Sequence, residues 1–303
     1  MTQKLTPSTI LLLLVPPLLW AGNAVLGRVV IDMVPPLTLN FLRWVAAFII
    51  LLPLGHSVLR RGSGLWRLWK RYALLGLLGV GLYNTLQYMA LHTSTPINVT
   101  LVAASMPLWM MLIGLLFFGT RIGGHQLAGV ALSMAGVLVV LSHGQWQQLL
   151  AMRFVAGDIF MIVAAIVWAF YSWLLTRDDG AGGIRRSWAT LLLAQIFFGV
   201  LWSGGFAAGE WALTDAQIHW SWGLGAALLY FAVGPSIVAY RCWGAGVGRV
   251  GPTVAGFFNN LMPLFAALMS AAFLGETPQA YHAVAFLLIV GGIVLSSRYR
   301  PAA

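Results

Sequence analysis

Runs of roughly 18 to 24 apolar residues, each long enough for an α-helix to cross a bilayer core about 30 Å thick, organise the chain from end to end. They fall near 9–31, 37–56, 72–92, 96–118, 124–141, 157–176, 188–208, 222–242, 250–274 and 279–297, with charge, Pro and Gly clusters between them. Barrel strands are short and alternate in polarity, whereas these runs stay apolar throughout, so the pattern predicts a helical bundle. The first run follows a polar stretch with Lys4, and Ile10 to Val15 could pass for a signal-peptide core. Pro16, Pro17 and the apolar continuation to Val30 favour a retained first helix instead.

Composition agrees and adds an orientation. Of 303 residues 60% are hydrophobic and 8% charged, far from the roughly 25% charged share of a soluble domain, and the mean hydropathy is +0.87. A formal charge of +10 in a soluble chain would suggest nucleic acid as a partner. Here 14 of the 17 basic residues fall on one side if the N-terminus is cytoplasmic: Lys4, Arg60, Arg61, Arg67, Lys70, Arg71, Arg121, Arg177, Arg185, Arg186, Arg241, Arg249, Arg298 and Arg300. This inside-positive bias places both termini in the cytoplasm and replaces the nucleic-acid reading. Trp66 and Trp69 on one side, and Trp146, Trp211, Trp220 and Trp222 on the other, suit interfacial belts. The single cysteine, Cys242, reads as a packing residue.

Residues 94–137 align on 250–293 at a constant shift of 156, matching Pro96 with Pro252, Met106-Pro107-Leu108 with Met262-Pro263-Leu264, and Gly136 with Gly292. A weaker echo pairs Trp20-Ala21 with Trp168-Ala169. Five helices per half is an odd number, so the halves, 1–150 and 151–303, cross the membrane in opposite senses, an arrangement found in transporters with a midplane site. The Met-Pro-Leu runs, Gly275-Glu276, the Gly291-Gly292-Ile293-Val294 ending, and Trp20-Ala21-Gly22-Asn23 leading to Arg43 resemble the EamA-type repeat of the drug/metabolite transporter superfamily. Thr120 stands where the repeat's Glu would be in the first half, so whatever Glu276 contributes is not duplicated.

Polar groups at membrane depth need a protein partner or a cavity. Trp20 and Asn23, Tyr83, Asn84 and Gln87, Trp168, Tyr171 and Ser172, and Asn259 and Asn260 all fall near mid-span, and the spacings of Trp20 with Asn23 (i, i+3), Tyr83 with Gln87 (i, i+4) and Trp168 with Tyr171 and Ser172 (both) put each of these sets on one face. Such amides can also simply bridge helices, but so many at one level favour a central cavity for an amphipathic solute. The substrate contacts expected are Trp20, Asn23, Tyr83, Gln87, Trp168, Tyr171, Asn259 and Arg43, with Asn84 and Asn260 nearer to packing roles. Arg43 has two readings: a bidentate partner for a substrate carboxylate, or a cation that snorkels outward to Asp32 or caps helix-end carbonyls. Pro107, Pro235 and Pro263 lie mid-span, each expected to cost a helix hydrogen bond and to serve as a gating hinge or a fixed kink.

Other signals are set aside. Gly246, Gly248 and Gly251 spell G-x-G-x-x-G between two apolar helices, not after a strand, and read as a loose connection. Asn98-Val99-Thr100 is a glycosylation triplet lying against a span, Asp178 and Asp179 read as solvated charge, and the six histidines form no metal-ligating cluster. All seven acids lie at or near span ends, leaving Glu276 and Asp158 as the available couplers to protons. These readings give an all-α polytopic membrane protein of ten transmembrane helices in two inverted five-helix repeats, with no metal, no cofactor and no enzymatic activity. The resemblance implies an inner-membrane exporter of amino acids, aromatic ones favoured, or of similar metabolites, by alternating access with facilitated diffusion or exchange. A proton-coupled multidrug exporter is the alternative. A small-molecule substrate and the lipid bilayer are the expected partners, and the chain is expected to be a monomer.

Overall fold

In the computed structural model, the structure describes residues 5–30, 32–94, 96–145, 147, 150, 153–177, 180, 182–274 and 279–297. Lys4, Trp146, Asp178, Asp179, Glu276, Arg298 and Arg300 lie outside them. Among the described residues the fold is all helical. Thr6 opens the first helix, α1 (Pro7–Val29), by accepting from the Thr9 amide, and Pro7 fits at the start, where its missing N–H costs nothing. There follow α2 (Pro36–Gly55), α3 (Trp69–Gly76), α4 (Tyr83–Thr93), α5 (Pro96–Ala104), α6 (Met106–Phe118), α7 (Gly124–Leu141), α8 (Ala156–Thr176), α9 (Trp188–Leu213), α10 (Trp222–Phe231), α11 (Ala239–Phe257), α12 (Met262–Leu274) and α13 (Ala280–Ser297).

Among the described residues, nine helical stretches are long and apolar enough to cross a membrane, so the protein is integral to it. Eight match single apolar runs. The ninth, Trp222–Met269, is 48 residues long and is broken at Gly251, whose φ of 82° lies in the left-handed region that glycine adopts without strain. The exterior is the apolar face: Leu11, Ile49, Leu116, Leu201 and Leu287 are exposed, as a lipid solvent requires, while Trp44, Trp168, Trp243, Tyr72 and Tyr171 are buried.

Two wide turns interrupt the bundle at positions the shift of 156 relates. Leu77–Leu82, between α3 and α4, and Ala232–Val238, between α10 and α11, are π-helical, and each frees a carbonyl from the regular ladder. Tyr240 Oη and Asn84 Nδ2 donate to the Gly79 carbonyl, and Trp20 Nε1 donates to the Pro235 carbonyl at 3.1 Å. Pro235 therefore sits in a turn whose irregularity already accommodates it. Pro107 and Pro263 depart from the expectation of interior prolines. Each is the second residue of a helix that restarts, α6 after a break at Ser105 and α12 after the 3₁₀ turn Phe258–Leu261, so neither removes a bond from a helix interior.

The glycine triplet is not a loose connection either. Gly246 and Gly248 are helical within α11, and a Cβ on Gly246 would lie 2.3 Å from Leu13 Cδ2, so that glycine lets α1 and α11 approach. Cys242 is buried and free. Asn98 is buried and donates to the Arg153 carbonyl, as a masked glycosylation triplet would be. Two acids at helix ends have structural partners. Asp158 is 1% exposed and accepts from the Val155 amide, Asn98 Nδ2 and Ser94 Oγ. Glu210, on α9, accepts from the Leu37 and Thr38 amides and from Thr38 Oγ1 at the start of α2.

Candidate functional site

The mid-span residues of five helices converge. Trp168, on α8, is fully buried and is the hub of an aromatic cluster: its ring centroid lies 4.6 Å from Tyr83, 5.0 Å from Tyr171, 5.3 Å from Trp20, 5.4 Å from Tyr240 and 5.5 Å from Trp243. Edge-on and tilted contacts of this kind stabilise beyond the area they bury. The Tyr171 hydroxyl donates to Gln195 Oε1 at 2.9 Å and Trp243 Nε1 to Ser172 Oγ at 3.2 Å, whereas the buried Trp168 indole N–H has no acceptor among the described residues.

Beside this cluster is a cavity of about 620 Å³. Tyr83, Gln87, Asn259 and Asn260 line it at mid-span, and His143, Tyr281 and His282 line it toward the end that the charge distribution assigns to the outside. Its remaining wall is mainly aliphatic, including Val137, Leu264 and Pro263, and no Asp or Glu lines it among the described residues. Asn259 Nδ2 contacts Met106 Sδ at 2.9 Å and Asn260 Nδ2 contacts Ser133 Oγ, and both buried Oδ1 atoms have no donor among the described residues. Of the residues expected from sequence, Tyr83, Gln87 and Asn259 thus face the cavity, while Trp20, Trp168 and Tyr171 pack behind Tyr83. Pro263 lines the cavity; Pro107 and Pro235 do not.

Arg43 is not a snorkelling cation. It is 1% exposed, Asp32 is exposed and is not among its partners, and all of its hydrogen bonds go to neutral oxygens. Nε and Nη2 donate to Ser236 Oγ at 3.1 and 2.9 Å; Nη1 donates to Tyr88 Oη at 3.0 Å, to Asn23 Oδ1 at 3.2 Å and, at 3.5 Å, to Asn84 Oδ1. Trp44 adds a ring face 5.3 Å from the guanidinium carbon. α2 turns Arg43 inward on the face that also buries Trp44, Ala47 and Leu51, while Ile49 on the other face is exposed, as a lipid contact requires. Sequence reasoning missed Tyr88 and Ser236. Tyr88 carried a signal, since it is one turn beyond Asn84; Ser236, 193 residues from Arg43, carried none beyond its place next to Pro235. Asn23 and Tyr88 line a second cavity, of about 300 Å³, which shares Ala24, Gln87 and Leu91 with the first.

Comparison with known proteins follows the same outline. A crystal structure 22% identical in sequence superposes with a TM-score of 0.72, over 95% of this chain and 96% of that one. An uncharacterized transporter of Archaeoglobus fulgidus is 27% identical over 95% of this chain and 97% of its own length. A protein of Salmonella typhimurium described as a probable amino-acid metabolite efflux pump is 26% identical, over 91% of this chain and 90% of that protein. The aromatic amino acid exporter YddG of Ancylobacter novellus is 26% identical, over 80% of this chain and 79% of that exporter. The model of the EamA-like transporter family matches residues 7–142 and 155–298, nearly the whole chain, and the chain belongs to that family.

Proposed function

We propose that the protein exports amino acids, aromatic ones favoured, or similar small metabolites across the inner membrane, by alternating access and without proton drive. The observation that carries this reading is the mid-span cavity, where Tyr83, Gln87 and Asn259 meet beside a tryptophan-rich cluster and, among the described residues, no carboxylate lines the wall. Aromatic faces with neutral donors and acceptors fit an amphipathic solute; a proton antiporter of cationic drugs needs an acid at depth. The two family-matched segments, the paired π-turns and the paired helix restarts support two inverted halves, 1–150 and 151–303. The break at Gly251 supports counting Trp222–Met269 as two crossings, which makes ten. The names borne by the Salmonella and Ancylobacter relatives support the substrate class. On this reading Pro235 and the restarts at Pro107 and Pro263 are the places where helices bend as the halves rock.

Counterflow in proteoliposomes tests it. Liposomes preloaded with unlabelled phenylalanine are expected to take up labelled phenylalanine faster than empty ones, which only a carrier does. Cationic dyes are expected to give no such stimulation, and an imposed pH gradient no accumulation beyond equilibrium. Uphill dye efflux driven by the pH gradient would replace the proposal with the multidrug reading.

A further inference from the structure

The guanidinium of Arg43 stands directly behind two side chains, Asn23 and Tyr88, that wall the smaller cavity. Arginine stays protonated in proteins, so this is a permanent charge at membrane depth, and among the described residues no carboxylate accepts from it. A buried cation held only by neutral groups is costly unless something anionic approaches it. Its bonds also set the polarity of the wall. Asn23 gives its Oδ1 to Arg43, so the end of the amide left for the cavity is the donor, Nδ2. Tyr88 accepts from Arg43 through Oη and keeps its own proton to donate. Two donors polarised by one cation therefore line one small chamber. Gln87 and His92 add polar groups, and among the described residues no acid lines either cavity. Ala24, Gln87 and Leu91 line both, so the chamber adjoins the larger, mainly apolar cavity.

We infer that the smaller chamber binds the carboxylate of the transported solute, with Asn23 Nδ2 and Tyr88 Oη as the direct donors and Arg43 as the positioning residue behind them, while the apolar part of the solute fills the larger cavity. This rests on the exporter reading and narrows it: the substrate class is amphipathic monocarboxylates, for which a free carboxylate is required and an amine is not.

The test is a binding panel on the purified full chain in detergent, read as ligand-dependent thermal shift and as affinity, with phenylalanine, phenylpyruvate, phenylalaninamide and phenethylamine. The two carboxylates are expected to bind with similar affinity and the other two at least about tenfold more weakly, the loss expected when hydrogen bonds to a charged group go unmade. Asn23→Asp keeps an oxygen for Arg43 and supplies its missing counterion; carboxylate binding should fall by about tenfold or more while phenethylamine gains. Tyr88→Phe should weaken the carboxylates alone. Equal binding of phenethylamine and phenylpyruvate by the unmodified chain, or undiminished carboxylate binding by Asn23→Asp, overturns the inference, and the first of these needs no variant to fold. Counterflow with the same four compounds separates the two readings. Transport that ignores the carboxylate sinks the chamber assignment alone, and carboxylate-selective binding without transport sinks the exporter reading alone.

Discussion

Arg43 shows how much one side chain can hold together. Its planar fork reaches α1 through Asn23, α4 through Asn84 and Tyr88, and the turn after α10 through Ser236, so four segments share a single guanidinium. A lysine there would keep the charge but offer three donors from one point, and it cannot reach these oxygens together. Arg43→Lys is expected to lower the counterflow rate by on the order of tenfold or more, since each 1.4 kcal/mol is a factor of ten, while the gel-filtration profile in detergent stays unchanged; an unaltered rate would remove Arg43 from the pathway. The depth of this residue was readable from its place in an apolar run, and so was the level of Trp20, Tyr83, Gln87, Trp168 and Asn259. The direction it points was not. Spacing along one helix fixes depth and face, but the partners on that face come from remote segments, which is why reaching out to nearby Asp32 was a tenable alternative until Ser236 and Tyr88 were seen against it.

At the level of the helix, the ends and the contacts between backbones decide stability. Glu210 closes the start of α2 from a different helix, satisfying two backbone amides that have no partner within α2 and placing negative charge at the positive end of its dipole. Glu210→Ala should therefore cost about 1–3 kcal/mol, seen as a lower midpoint in thermal unfolding in detergent. α7 and α13 pack backbone against backbone. A Cβ on Gly292 would lie 2.6 Å from the Gly129 carbonyl oxygen, and one on Gly136 would lie 2.9 Å from that of Ala285. Small residues permit such approach where no hydrophobic drive acts between helices in lipid. Gly292→Val should push the pair apart at a cost of about 1–3 kcal/mol, while Gly248→Val, with open space around it, should not. The repeat that aligns Gly136 with Gly292 was legible in sequence. That both glycines serve one interface between the halves was not, because alignment shows equivalence and says nothing of adjacency. The prolines taught the converse: Pro107 and Pro263 sit mid-run, but helix starts within a run leave no mark in hydropathy.

For the molecule as a whole, the distribution of basic residues makes a prediction about sidedness. In a Cys242→Ser background, a cysteine at Asp215 should react with an impermeant maleimide in intact cells, whereas one at Gly62 should react only after the membrane is opened; the reverse pattern would invert the orientation. The run lengths made the architecture legible early because lipid leaves few alternatives: every backbone group must be bonded internally, and only helices or closed barrels manage that. What stayed hidden was the join at Gly251, where one 48-residue stretch turns on a single residue with positive φ. The pairing of α7 with α13 also has a meaning in time. These helices lie well over a hundred residues apart in the chain, and synthesis proceeds at about 5–20 residues per second. The glycine-lined face of α7 must therefore enter the bilayer on the order of ten seconds before the helix that covers it has been made. A ribosome that stops short of Ala280 releases a bundle with that groove open to lipid or to another protein, a conspicuous mark for membrane quality control.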